Sequence, residues 1–209
     1  MEEIKDVAIP TAQTEAYTSA LTDPRTLTTL SKLAANFANS QIVPEIYQHN
    51  PANCFVACEI ANRMNVSPLM VMQNLYIVQG KPTWAGQACI ALINGTRQFS
   101  PIRFVFVGEK GTDSWGCYVT CTRLSDGEVL NGSVVDLAMA KAEGWTAKKG
   151  SKWITMPEQM LQYRAAAFFA RVYCPNALMG LQTAEEVQDV KGYEDTITQK
   201  KTITFTQED

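Results

Sequence analysis

The chain has 209 residues, of which 46% are hydrophobic and 19% are charged, and its formal net charge is -3. These values are typical of a globular protein and exclude a disordered chain. No apolar run approaches the roughly 18 residues of a membrane span. The N-terminus lacks the basic start and apolar block of a secretory signal, so we expect a cytoplasmic protein with no membrane partner.

The N-terminal third is predicted to be helical. Residues 1–22 show no periodicity and predict a flexible arm. Asp23 and Pro24 open a helix to about residue 39, and Asn50 with Pro51 opens a second helix to about residue 64. The same signal at Ser67-Pro68 predicts a short helix through residue 73. The elements that follow are a strand at 75–78, a turn at 79–82, a brief return at 83–84 and a helix at 86–94.

The middle of the chain reads as three strands. Alternating apolar residues predict strands at 102–107, 115–124 and 129–135, the last two joined by a turn at 125–127. Antiparallel pairing of neighbours would make them a three-stranded β-meander packed with helices.

The C-terminal part returns to helix. Asp136 caps a short helix that ends at Gly144, and a loop runs from Trp145 to Trp153. Pro157 opens a long helix to about Tyr173. The remaining signals are a stop at Pro175, a capped short helix from Thr183 and a polar, flexible tail at 191–209. The sum is an α+β fold with one domain at residues 23–190, in which the long C-terminal helix lines a basic groove.

Charge is segregated along this acidic chain. Residues 141–171 hold six basic and only two acidic side chains, and no acid lies between Arg63 and Arg103. A solvated surface is the alternative to any charge run. Two acid-poor segments with interspersed aromatic rings favour a shared groove for a polyanion, in which cations hold phosphates and rings stack on bases. The candidate DNA-binding residues are Lys81, Trp84, Arg97, Arg103, Lys141, Lys148, Lys149, Lys152, Trp153, Arg164 and Arg171.

Two of these arginines lie on the long, largely apolar helix. Arg164 and Arg171 are seven residues apart and therefore within roughly 20° of each other around the helix. An unpaired buried charge is costly, so they must meet either phosphate or protein carboxylates. Glu45 and Glu59 of the N-terminal helices are the carboxylates that we consider. For Trp84 and Trp153 the alternative to base stacking is a place in the core.

Signals for an enzyme are weak. The segment Gln79–Trp84 lacks the first Gly of a phosphate-binding loop, and Pro82 stands where that loop needs Ser or Thr. His49 has no accompanying nucleophile motif. The six cysteines include no C-x-x-C pair, and one histidine cannot complete a usual zinc set. We therefore expect buried, reduced cysteines, with no catalytic residue, metal or cofactor.

The C-terminal features resemble those of a known family. The order Trp153, Met156-Pro-Glu-Gln-Met160, Arg164, Arg171 and Pro175 is similar to the C-terminal signature of phage single-strand annealing proteins of the RecT/Bet type. The stretch 65–101, with Pro68, Tyr76, Gly80-Lys-Pro82, Trp84 and Asn94, resembles their central part. The chain departs from many members at Tyr163-Arg164, where they have a Lys-Thr-like pair.

The resemblance implies a recombinase that anneals complementary strands without ATP. It also implies rings or helical filaments of the chain, with single-stranded DNA and the annealed duplex intermediate in a continuous basic groove. Many members carry a further C-terminal domain for a partner. Here 19 residues follow Val190, which leaves docking to a phage exonuclease or a host single-strand-binding protein open. The alternative function is a small phage-encoded protein-binding module or inhibitor that acts through its acidic termini.

Overall fold

The computed structural model describes residues 19, 22–78, 80–147 and 149–189. The predicted N-terminal arm lies almost entirely outside this part, and the predicted tail lies wholly outside it. The chain divides into two compact units, residues 1–73 and 74–209. The single domain expected over residues 23–190 stays a prediction.

The first unit is helical. Helix α1 (Pro24–Ala38) begins where the Asp23 carboxylate accepts a hydrogen bond from the Thr26 amide at 2.8 Å. Helix α2 (Pro51–Met64) begins at Asn50, whose side chain accepts from the Asn53 amide at 3.0 Å. Both predicted caps are therefore confirmed. A 3-10 turn (Glu45–Tyr47) lies between these helices, and α3 (Pro68–Asn74) follows them.

Small side chains bring α1 and α2 together. Ala34 and Ala38 are buried on α1, and Ala57 and Ala61 are buried on α2. Side chains of this size let two helices approach closely and pack without voids. Helix α2 is followed by its C-cap, Asn65, which adopts the left-handed conformation (φ +52°) that asparagine tolerates at a helix C-terminus.

The second unit contains two small sheets. In the first, β1 (Leu75–Val78) pairs antiparallel with β2 (Lys81–Trp84), which pairs parallel with β7 (Gln182–Thr183). In the second, β3 (Arg103–Val107), β4 (Gly116–Thr122) and β5 (Val129–Asn131) pair antiparallel in chain order. The third predicted strand is divided, because β6 (Val135–Asp136) pairs separately with β4. The α+β class is confirmed.

Helices surround these sheets. The remaining helices, in chain order, are α4 (Gly86–Gly95), α5 (Leu137–Ala142), α6 (Lys152–Thr155), α7 (Pro157–Tyr173), α8 (Pro175–Leu178) and α9 (Ala184–Asp189). Helix α7 has the predicted bounds and is the centre of the unit, since it packs on both α4 and β4. Its alanines and Phe169 are buried, and the Phe169 ring meets Phe99 edge to face at 5.6 Å. Among the described residues, no helix has the length and apolar character needed to cross a bilayer.

All six cysteines are buried and free, as the sequence analysis expected. Burial raises the pKa of Cys58, Cys117 and Cys174 to about 11 each. These thiols act as small apolar side chains in the core. Within the described residues, no group of three or more potential metal ligands comes together.

Candidate nucleic-acid interface

We call the lysine-rich stretch between Trp145 and Trp153 the lysine segment (residues 146–152), and contacts among the described residues hold its two ends together. A 3-10 turn starts it and α6 ends it. The Ser151 hydroxyl donates to the Trp145 carbonyl at 2.7 Å, and the two tryptophan rings lie 5.0 Å apart. Lys149 and Lys152 are exposed, whereas Lys148 lies outside the described residues. The segment therefore exposes Lys149 and Lys152, while two buried tryptophan rings anchor its ends.

Arg164 lies beneath this loop and is 7% exposed. Its guanidinium carbon is 3.9 Å from the centre of the Trp145 ring, which is a cation–π contact. It donates a hydrogen bond to Asp189, which also accepts from the indole N–H of Trp153 at 2.8 Å. Burial lowers the pKa of Arg164, although Glu186 and Asp189 act in the opposite direction. An arginine keeps its charge under such conditions, so the site holds a buried ion pair.

The second arginine of α7 is paired in the same way. The two terminal guanidinium nitrogens of Arg171, Nη1 and Nη2, donate to the Glu186 carboxylate. This hydrogen bonding raises the pKa of Arg171. Burial favours a higher pKa for Glu186, but the bonds from Arg171 and the Thr183 amide outweigh it, and the net pKa is lowered. We call Arg164, Arg171, Glu186 and Asp189 the arginine cluster.

The arginine cluster decides between the two alternatives of the sequence analysis for the described conformation. Arg164 and Arg171 meet protein carboxylates, and these carboxylates come from α9. The structure does not pair either arginine with Glu45 or Glu59, the two carboxylates that the sequence analysis considered. A signal that could have identified these partners is the spacing of Glu186 and Asp189. Three residues apart, they lie on one face of the short helix that follows α7 and α8.

Two tryptophans predicted to contact DNA are core residues. Trp84 is completely buried, and its indole N–H donates to the Leu178 carbonyl at 3.2 Å. Trp153 is 2% exposed and binds Asp189. Stacking on a base requires an open ring face, and neither ring has one here. The core alternative is the one that the structure gives for both rings.

The other predicted cations lie on separate elements of the fold. Lys81 is half-buried near the tip of the β1–β2 hairpin, and Arg103 is exposed on β3. Lys141 is exposed and forms an ion pair with Asp113.

Arg97 is exposed after α4 with a left-handed backbone (φ +54°). It lines a shallow cavity of about 530 Å³ with Arg123 and Tyr173, at the opposite end of α7 from the lysine segment.

An open groove of about 640 Å³ lies beside the lysine segment. Lys152 contributes to its wall together with side chains that the sequence analysis did not identify. Tyr76, Ile77 and Met156 line it and are 44%, 48% and 46% exposed. The rest of its lining comes from Val78, Ala85, Gly86, Gln87, Gln159, Met160, Tyr163, Ala184, Glu185 and Gln188. The groove thus combines a cation with exposed aromatic and apolar surface.

The floor of the groove is tightly packed. A methyl group on Gly86 would lie 2.5 Å from the Tyr163 ring and 3.1 Å from the Glu185 carboxyl carbon. One oxygen of Glu185, Oε2, is buried and has no hydrogen-bond partner within the described residues. Helix α4 begins at Gly86, and the positive end of its dipole favours a carboxylate at this place. The groove therefore has one acidic residue on a floor that is otherwise neutral.

Comparison with known proteins identifies a family. The model of the RecT family matches residues 26–202, which is well over half of the chain. No curated protein and no solved structure matches the chain. The match covers most of both units and includes the lysine segment, the arginine cluster and the groove.

Proposed function

Because the chain belongs to the RecT family, we propose that it binds single-stranded DNA and anneals complementary strands in phage-type recombination without hydrolysing ATP. Membership of the family supports the annealing reaction itself. The lack of a phosphate-binding loop motif in the sequence fits the proposal that no nucleotide drives it. Base pairing supplies the free energy instead, since stacking is worth about 1.4 kcal/mol per step of duplex.

The groove beside the lysine segment is the proposed path of the strand, and α7 contributes to its wall. The observation that carries this proposal is the position of Lys152, which is exposed at the start of α6 and lines the groove with Tyr76 and Met156. A cation beside a ring and an apolar side chain fits both parts of a nucleotide, because lysines hold phosphates and flat or apolar surfaces contact bases. Lys149 and Lys81 would extend the phosphate contacts from the two sides of the groove.

This arrangement suits annealing in particular. Phosphate contacts position a strand without reading its sequence. A strand held by its backbone keeps its base edges available to a second strand, so correct pairs form and mismatches dissociate. Gln87, Gln159 and Gln188 give the groove neutral polar groups rather than a dense set of charges. The proposed contact is accordingly reversible and independent of sequence.

The remaining predicted residues have different parts in this proposal. Arg97, Arg103, Lys141 and Lys148 are secondary phosphate contacts along the strand. Arg171 stays a candidate contact because 40% of its side chain is exposed. Arg164, Trp84 and Trp153 act from the core by holding the groove in shape. We further propose that copies of the chain assemble as rings or helical filaments that make the groove continuous, and that an exonuclease or a host single-strand-binding protein is a partner.

A salt titration tests the proposed function. Affinity for a fluorescent oligonucleotide should fall linearly on a log–log plot against salt, with a slope of about -0.7 per phosphate contact. Lys149→Ala and Lys152→Ala should each reduce the size of that slope by roughly one contact. Lys110→Ala is the matched control, because Lys110 is an exposed lysine paired with Glu158 outside the groove lining. A flat salt response, or no annealing of complementary oligonucleotides without ATP, would refute the proposal.

A further inference from the structure

We infer that Asp189 is a positioning residue for the lysine segment, so that binding of single-stranded DNA depends on a carboxylate that does not contact the strand. This inference rests on the proposed function. It concerns a side chain on α9, whereas Lys149 and Lys152, the proposed phosphate contacts that it positions, lie on the lysine segment that precedes α7. Asp189 is 6% exposed and is therefore out of reach of a bound strand.

One oxygen of Asp189 joins two elements. Its Oδ2 atom accepts from the indole N–H of Trp153 on α6 at 2.8 Å and from the guanidinium of Arg164 on α7. A hydrogen bond to a charged group is stronger than a neutral one, and a carboxylate shared by two donors fixes the relative position of both. Asp189 thus holds α6 in a set place against α7.

The same contacts fix the other end of the lysine segment. Arg164 lies over the Trp145 ring at 3.9 Å, and that ring lies 5.0 Å from Trp153. The Ser151 hydroxyl closes the loop on the Trp145 carbonyl. Asp189 therefore acts on both tryptophans that bound the segment, on Trp153 directly and on Trp145 through Arg164.

Lysine position determines how much affinity a phosphate contact supplies. Lys152 adjoins Trp153 in the chain and lines the groove, and Lys149 lies within the lysine segment. A side chain that must be ordered on binding loses part of its contact energy to conformational entropy. With the loop held in place in advance, less of that cost remains when DNA binds.

The charge of Asp189 gives the test a clear direction. A carboxylate near a polyanion site weakens binding through its field, so an electrostatic effect alone predicts tighter binding when the charge is removed. A positioning role predicts the opposite result. Asp126→Asn is the matched control, because it removes the same charge from an exposed residue that pairs with Arg123, outside both the lysine segment and the groove lining.

The experiment compares Asp189→Asn, Trp153→Phe and Asp126→Asn with the unchanged chain. Trp153→Phe keeps an aromatic ring in the core and removes the N–H donor together with part of the indole volume, so it keeps the inference testable if Asp189→Asn fails to fold. Affinity for an oligonucleotide is corrected for the folded fraction, and hydrogen exchange of residues 146–152 is measured without DNA. We expect about three- to tenfold weaker binding and a smaller salt slope for the first two variants. We also expect faster exchange of that segment.

The outcomes separate this inference from the function that it rests on. Unchanged or tighter binding per folded molecule in both Asp189→Asn and Trp153→Phe overturns it, as does unchanged exchange of residues 146–152. A combined Lys149→Ala, Lys152→Ala change should reduce the effect of Asp189→Asn, and full additivity overturns it as well. Failure of the unchanged chain to bind DNA refutes the proposed function, and the exchange result still decides whether Asp189 positions the loop.

Discussion

The Glu186 carboxylate on α9 binds the Arg171 guanidinium on α7 through both of its oxygens. The same carboxylate accepts from the Thr183 amide at 2.9 Å, while the Thr183 hydroxyl accepts from the Glu186 amide. This reciprocal pair is a capping box that starts α9. One buried side chain therefore both begins a helix and binds it to its neighbour.

The first prediction concerns pH. The pKa of Glu186 is lowered in the folded chain, so the stability that it contributes is present above the pKa of an unfolded carboxyl group, about 4.3. That contribution is lost as the pH falls from this value through the lower, folded pKa. Urea unfolding at a series of pH values should show the loss, and Glu186→Gln should flatten the acidic limb. An unchanged pH profile in the variant would contradict the assignment.

The second prediction concerns Arg164. Replacement by alanine leaves Asp189 buried without its charge partner and opens a gap beside Trp145. Breaking a buried pair from one side costs about 3–5 kcal/mol in unfolding free energy. Denaturant unfolding measures this value. Arg103→Ala is the control, since an exposed arginine on β3 should change stability by no more than about 0.5 kcal/mol.

The third prediction uses two glycines of α4. Gly86→Ala would place a methyl group 2.5 Å from the Tyr163 ring, whereas the same change at Gly95 meets nothing within 4 Å. Overpacking typically costs about 1–3 kcal/mol, so Gly86→Ala should lower the melting temperature and alter the groove floor. Gly95→Ala should leave it unchanged or raise it. Equal melting temperatures for the two variants would show that the Tyr163 ring moves aside freely.

The fourth prediction concerns thiol reactivity. All six cysteines are buried, and burial raises the pKa of several of them, among them Cys58 at about 11. The thiolate is the reactive form, so a thiol reagent at pH 8 should modify the folded chain slowly. Complete unfolding should make all six groups react. Rapid modification of the native chain at one or more sites would contradict the described core.

Local signals predicted much of this fold. The caps at Asp23, Asn50 and Asp136 and the bounds of α7 depend on residues close in sequence, and the structure confirms them. The divided third strand was not predicted, because β5 and β6 differ only in which part of β4 they pair with. Pairing of that kind depends on contacts that a single strand pattern does not contain.

The candidate site was predicted less well, for a related reason. The basic residues of the lysine segment were identified from composition, but the partners of Arg164 lie 22 and 25 residues further along the chain. The groove was missed at Tyr76 and Ile77, because exposed apolar residues on a short strand look like core residues in sequence. Trp84 shows the converse case, since a ring that closely follows Lys81 was a candidate for stacking on a base but is completely buried.

The arginine cluster has a consequence for biosynthesis. Translation produces α7 before α9, so Arg164 and Arg171 leave the ribosome ahead of Glu186 and Asp189, the acids that neutralise them. During that interval the nascent polypeptide carries two guanidinium groups on a largely apolar helix, before their carboxylate partners have been synthesised. The native pairing of α7 must therefore wait until α9 has been synthesised, and a polypeptide truncated before Glu186 would keep both guanidinium groups of α7 without these carboxylate partners.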